Sequence, residues 1–261
     1  MKSLNIAATG MLAQQLNVEV ISNNIANMNT TAYKRQRAEF QDLIYQTVRR
    51  VGAASSNEGT LVPTGIQIGV GVKAGSVYRV STQGNLTTTD NTYDLAIQGD
   101  GHFRIVMPNG EDAYTRAGSF QLSDTGQIVT ADGYELAPAI NIPEDARDVS
   151  INSIGQVQAF IDGQTDPVDL GTIELVRFFN EAGLEAMGEN LFRETPASGG
   201  PTTGTPGDVG YGTLLQGFLE TSNVDPVGEI TQLISAQRAY EMNAKVITAS
   251  DEMLSVTSNL R

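Results

Sequence analysis

The chain has 261 residues, no cysteine, no tryptophan and one histidine, with 16 basic against 30 acidic side chains and a formal net charge of −14. No disulfide framework or thiolate metal site is open to it, and nucleic-acid binding, which needs a basic face, is excluded. The excess acid is confined to the middle: residues 1–40 carry four basic and two acidic side chains, residues 221–261 three and five, and residues 41–220 nine and 23. Near-neutral ends on an acidic middle predict ends that pack against something and a solvated exterior. The length fits one or two domains.

No run of 18 apolar residues is present, so no transmembrane helix and no direct membrane insertion is expected. The start loosely imitates a signal peptide, but Asn5, Thr9 and Gly10 interrupt its apolar stretch and Gln14-Gln15 follow it. A cleaved signal is therefore not expected.

In chain order, residues 3–28 predict a helix, with Leu4, Ala8, Met11, Gln15, Val18, Ser22 and Ile25 at alternating spacings of four and three. Gly10 and Asn23-Asn24 are each less favourable than Ala by ~0.7–1 kcal/mol, so this helix is marginal alone and needs a partner. Residues 49–67 and 195–213 are rich in Gly, Pro and Ser and predict flexible or extended stretches. Between them the period becomes strand-like. Apolar runs at 95–97, 102–107, 113–116, 119–122, 127–130 and 134–137 alternate with turns such as Pro108-Asn109-Gly110 and Asp132-Gly133. Further strands are expected at 156–161, 171–178 and 214–219, the first two joined by a turn at Asp162-Gly163. Asp225-Pro226 is a helix start, Asp as N-cap and Pro at the first helical position. From it Ile230, Leu233, Gln237, Tyr240, Ala244, Ile247, Asp251 and Leu254 keep the four–three alternation, for a helix over 226–258, about 50 Å long. The simplest arrangement packs the two terminal helices on each other, with an antiparallel β domain over about 70–220.

Catalytic signals are weak. His102 lies on an expected strand between apolar neighbours and reads as a core or surface imidazole; no G-x-S-x-G elbow is present to build a triad with it. Gly69-Val70-Gly71, with Gly65 and Gly75, matches neither the dinucleotide nor the P-loop spacing. Asp100, Asp124, Asp132 and Asp162 are explained as hairpin-turn residues, without calcium-loop spacing. No enzyme activity, cofactor or metal is expected.

Two terminal motifs carry a resemblance. Ser22-Asn23-Asn24-Ile25-Ala26-Asn27-Met28-Asn29-Thr30-Thr31-Ala32-Tyr33-Lys34-Arg35, ending at Phe40, resembles the N-terminal signature of flagellar rod, hook and hook-associated proteins. Ser222-Asn223-Val224-Asp225 through Glu229, Gln237-Arg238-Ala239-Tyr240-Glu241-Met242-Asn243-Ala244-Lys245 and Asp251-Glu252-Met253-Leu254 resemble their C-terminal signature. In the middle, Asp94-Leu95-Ala96-Ile97-Gln98-Gly99-Asp100-Gly101-His102-Phe103 and Tyr114-Thr115-Arg116-Ala117-Gly118-Ser119-Phe120 resemble the family's β domain, with His102 where an aromatic is more usual. Residues 46–68, a Gly/Ser-rich insertion followed by Pro63-Thr64-Gly65-Ile66-Gln67-Ile68-Gly69, look like the extra segment of the distal-rod members, which proximal rod subunits typically lack.

The resemblance implies an α+β fold. Long N- and C-terminal helices pair as a coiled coil (1–40 with 222–261), an extended arm covers 41–70, and a mainly antiparallel β domain covers 71–221. It implies a structural subunit of the distal rod that polymerises into a rigid helical tube, transmits motor torque to the hook and encloses the export channel. The implied partners are further copies of itself, proximal rod and hook subunits, the surrounding P- and L-ring proteins and the flagellar export apparatus. The implied location is the basal body, from periplasm to outer membrane, reached without a cleaved signal peptide. The assembly interface is expected to use Leu4, Met11, Val18, Asn23, Asn24, Ile25, Asn27, Tyr33, Leu233, Gln237, Arg238, Tyr240, Asn243, Ile247 and Leu254. A proximal rod or hook subunit, and a secreted β-domain binding module, are the alternatives.

Overall fold

Helix α1 spans Lys2–Ala26 and helix α2 spans Pro226–Asn259 in the computed structural model, which describes residues 2–50, 64–161 and 166–259. Between them lie strands, so the fold is α+β with a helix at each end and an antiparallel β region in the middle. The chain divides into two units. One gathers residues 1–26, 36–78 and 225–261; the other gathers 27–35 and 79–224.

In the first unit the start of α2 follows the capping rule: the Asp225 carboxylate accepts from the Val227 N–H at 3.2 Å, and Pro226 takes the first helical position. The two helices run antiparallel. Ser3 meets Ser250 (3.4 Å), Gly10 lies against the side chain of Asn243, and Asn24 donates to Glu229 (3.1 Å). These contacts recur in steps of seven and fourteen residues on both helices. Around them Ala7, Ala13, Val20, Ile21 and Ala236 are buried.

This face differs from the expected one by a rotation of one residue. On α1 it runs through Ser3, Ala7, Gly10, Ile21 and Asn24, while Gln15 and Ser22 are exposed. On α2 it runs through Glu229, Ala236, Asn243 and Ser250, one residue before Ile230, Gln237, Ala244 and Asp251, and it shares Leu233, Ile247 and Leu254 with the expected seam. The reason is steric. A Cβ added at Gly10 would stand 3.0 Å from the Asn243 amide nitrogen. Small residues let the backbones approach, and the bulkier apolar side chains turn to the flanks.

Strand Gln36–Asp42 pairs with Val72–Arg79, and Tyr45–Arg49 pairs antiparallel with Ile66–Gly69. The second ribbon exposes its residues on both faces, including Tyr45, Val48, Ile66 and Ile68. Most of the Gly/Ser-rich stretch between its strands, 51–63, lies outside the described residues, as does the expected Asp162-Gly163 turn.

The second unit is built on strand His102–Val106. One edge pairs with Asp112–Thr115; the other is shared end to end by Glu135–Ala137 and Leu175–Arg177, all antiparallel. Alternation along these strands divides the side chains between two faces. Phe103, Ile105, Ala113 and Leu175 enter the main core, where Phe103 and Phe120 meet edge-on at 5.2 Å. On the other face Tyr114 and Val176 join Phe178 and Leu184 in a second cluster. Strands Ala146–Ile151, Gln156–Ile161 and Val168–Thr172 form a separate antiparallel sheet. The stretch 195–213 carries a short strand, Thr202–Gly204, against Leu175–Arg177. His102 is 7% exposed, edge-on to Phe178 and Phe192 at 6.1 and 6.3 Å.

Candidate assembly interface

Three features are built from the resemblance-bearing motifs. The first is the amide of Asn24. Its Oδ1 accepts from the Gln36 N–H and its Nδ2 donates to the Gln36 carbonyl, both at 2.8 Å, and Nδ2 donates also to Glu229. One side chain thus satisfies both backbone groups of the residue that opens strand Gln36–Asp42 and holds a buried carboxylate on α2. Asn24 and Glu229 are 1% and 2% exposed. A buried polar group is tolerated when its hydrogen bonds are made.

The second is the face of α2 turned away from α1. Val227, Ile230, Ile234, Met242, Val246, Met253 and Val256 are all exposed. At 100° per residue they spread over about 160° of the helix surface, interleaved with the exposed Arg238, Glu241, Lys245 and Glu252. Seven exposed apolar side chains on one long helix offer a surface for another element.

The third lies in the second unit, centred on Glu220, 2% exposed. Its Oε1 accepts from Lys34 Nζ at 2.6 Å and from the Gly84 N–H at 2.9 Å; its Oε2 accepts from Arg116 Nε at 2.7 Å. Arg116 spends its remaining donors on the carbonyls of Gly101 (2.6 Å), Ile97 (3.1 Å) and Gly99. Burial pushes the Glu220 carboxyl up, but the Arg116 and Lys34 charges outweigh it and hold it below the usual range. Burial lowers Lys34 below an ordinary lysine, against the pull of Glu220. Beside this cluster Asn223 donates to the carbonyls of Val80 and Thr82 (both 2.9 Å) and accepts from the Arg35 N–H (2.7 Å). Ala32 sits in left-handed backbone (φ 56°) with its N–H on the Glu220 carbonyl at 2.8 Å. Residues 27–35 are therefore stitched to the end of the β region by Glu220 and Asn223. Four separate motifs, around 33–35, 99–101, 114–116 and 220–223, converge here.

The expected interface residues scatter over these features. Asn24 is buried, and Leu4, Met11, Val18, Ile25, Leu233, Asn243, Ile247 and Leu254 are half-buried in the helical unit. Asn23, Gln237, Arg238 and Tyr240 are exposed. Asn27 and Tyr33 are half-buried in the second unit: Asn27 Oδ1 accepts from the Thr30 hydroxyl at 3.1 Å, and the Tyr33 carbonyl from the Asn223 N–H at 3.3 Å. Glu220 and the seven exposed apolar residues of α2 are not among the expected residues. The signal for Glu220 is a lone carboxylate closing an apolar strand, Phe218–Glu220. Among the described residues no cluster of His, Asp or Glu could hold a metal ion, and no helix is long and apolar enough to cross a membrane.

A helix at each end of the chain, each carrying its signature motif, with an antiparallel β region between them in sequence, is the pattern of an axial component of the bacterial flagellum. Residues 4–34 match the family described as flagella basal body rod protein, residues 96–159 the flagellar hook protein FlgE/F/G D1 domain, and residues 215–260 the flagellar basal body rod FlgEFG protein C-terminal family. The chain is 61% identical, over all of both chains, to the flagellar basal-body rod protein FlgG of Caulobacter vibrioides. It is 54% identical to that of Agrobacterium fabrum over 99% of this chain and 98% of the relative, and 42% identical to that of Bacillus subtilis over 100% and 99%. The chain belongs to the flagellar basal-body rod family. It is a structural subunit of the basal body, most like the distal rod protein.

Proposed function

We propose that this subunit polymerises into the helical tube of the distal rod through α2, whose one face is taken by α1 and whose exposed apolar side chains are covered by neighbouring copies. The exposed apolar side chains of α2 carry this reading: Ile230, Ile234 and Val246 are 49%, 46% and 46% exposed on a helix that already packs on α1. The recurrence of the α1–α2 contacts in steps of seven and fourteen residues supports pairing as a coiled coil. In this reading 1–40 with 222–261 line the channel, 71–221 form the acidic exterior, and 41–70 form an arm. The solvent-facing ribbon of Tyr45–Arg49 and Ile66–Gly69 supports an arm laid along a neighbour, since a lone two-stranded ribbon is marginal in water.

The tube transmits torque through repeated head-to-tail contacts, which alone build an open helix. It joins proximal rod subunits to hook subunits, turns within the P- and L-ring proteins between periplasm and outer membrane, and receives its subunits from the export apparatus without signal cleavage. The test is the double substitution Ile234→Glu and Val246→Glu. Sedimentation and electron microscopy should show no tubes, with the β-region circular dichroism intact. Tubes of unchanged yield would overturn the reading.

A further inference from the structure

Within the second unit lies a cavity of about 70 Å³ whose walls include His102, Lys34, Arg79, Arg116, Asp100 and Glu181. That is several times the ~10–15 Å³ one water needs. His102 is nine-tenths buried and its ring lines the cavity, while its Nδ1 is sealed in the packing with no hydrogen-bond partner among the described residues. Arg79 is held across the cavity wall, its guanidinium 4.7 Å above the Phe192 ring and donating to the Leu184 carbonyl, which leaves further N–H groups of the fork uncommitted in the described contacts. Lys34 Nζ donates to Glu220 and to the Thr82 carbonyl (3.0 Å), and an ammonium has three donors.

We propose that this cavity is a binding site for one small oxyanion, a carboxylate or phosphate group, taken by the Arg79 fork with Lys34 beside the His102 ring. A guanidinium fork matches two oxygens of such a group. Beyond burial, the charges of Arg116, Lys34 and Arg79 all disfavour protonating the neutral His102 ring, and Glu220 opposes them. Asp100 and Glu181 also line the cavity and limit it to a weak site unless the guest makes the bidentate contact.

Two sources share this chemistry: a free anion such as inorganic phosphate, or an acidic side chain of a second copy. The second source rests on the polymer reading above. The experiment follows the His102 ring nitrogens by NMR in the full-length protein, as monomer in sodium phosphate against sodium chloride of equal ionic strength, and as tubes in chloride. A saturable shift in the monomer, lost in Arg79→Gln and weakened several-fold in Arg79→Lys, assigns the site to a free anion. No shift in the monomer but a shift on assembly, lost in Arg79→Gln tubes, assigns it to a neighbour's carboxylate. If Arg79→Gln does not fold, Arg79→Lys carries the comparison. His102 resonances unmoved in both settings, or moved equally without Arg79, overturn the proposal whether or not tubes form.

Discussion

Asn24 and Glu229 lie 205 residues apart in sequence and are joined by one 3.1 Å hydrogen bond, while the same amide grips both backbone groups of Gln36. Replacing Asn24 by Ala leaves the Gln36 N–H, its carbonyl and the Glu229 carboxylate to find other partners. At ~1–3 kcal/mol for a buried group left unsatisfied, a loss of about 2–3 kcal/mol is expected. Chemical denaturation of the assembled protein, followed by helical circular dichroism, reads it. Asn24→Asp should cost more than Asn24→Ala at neutral pH, because two carboxylates then face each other; an equal cost would remove Glu229 from the account.

Glu220 binds two cations in a nearly dry setting, their side chains 11% and 7% exposed. Removing one partner of a buried ion pair costs about 3–5 kcal/mol, because the remaining charge is left uncompensated. Glu220→Gln should therefore lower the unfolding free energy of the β region, read from urea titration, by that amount at neutral pH. Glu220 ionises more readily folded than unfolded. Its stabilisation is present above the unfolded carboxylate value of ~4.3 and fades as pH falls through the folded one. Wild type and variant should converge in strong acid, which paired urea titrations would show.

His102 behaves in the opposite sense to a histidine that gains a partner. Burial first, and then the Arg116 and Lys34 charges, depress it to about 3 from an ordinary 6.5. The folded state holds the ring neutral while the unfolded state takes up a proton below pH 6.5. The unfolded state thus binds more protons between the two values, and stability rises with pH across that window. On acidification the loss is about 1.4 kcal/mol per pH unit. His102→Phe should abolish this slope between pH 6.5 and 5, above the range where Glu220 contributes. An unchanged slope in the variant would mean that the ring is hydrated or otherwise protonated in place.

Gly118 sits where its backbone touches another strand: a Cβ there would lie 1.7 Å from the Leu95 carbonyl oxygen, whose peptide cannot move without the core behind it. Gly118→Ala should cost about 3 kcal/mol or more in β-region stability by urea denaturation. Gly10→Ala meets only the flexible Asn243 amide at 3.0 Å. It should cost less in the helical unit, and Gly10→Leu should part the helices and abolish tube formation.

Both helices are legible in the sequence because their local signals agree. Asp225-Pro226 marks the start of α2, and the four–three spacing marks the length of each. The strands at 102–106, 112–115 and 156–161 are legible from alternation between turn residues. The contact face of the helices is harder to read, because hydrophobicity ranks Ile230 above Glu229, whereas close approach selects Ser3, Gly10, Asn24, Ala236, Asn243 and Ser250. Glu220 escapes a linear reading because its partners, Lys34 and Arg116, are brought to it only by tertiary structure. The short strands at 185–188, 191–193 and 202–204 escape it because three or four residues hold too little alternation to detect.

The division of the chain has a consequence for the order of folding. Residues 79–224 are contiguous and need only the short piece 27–35 to complete their unit, whereas the helical unit is assembled from three separated stretches, with α2 after every other element. Loop-closure entropy delays contacts between distant segments. During synthesis from the amino end, α1 can have no α2 beside it until the β region has already emerged. A chain truncated within the β region therefore lacks α2, and with it the surface on which the proposed assembly rests.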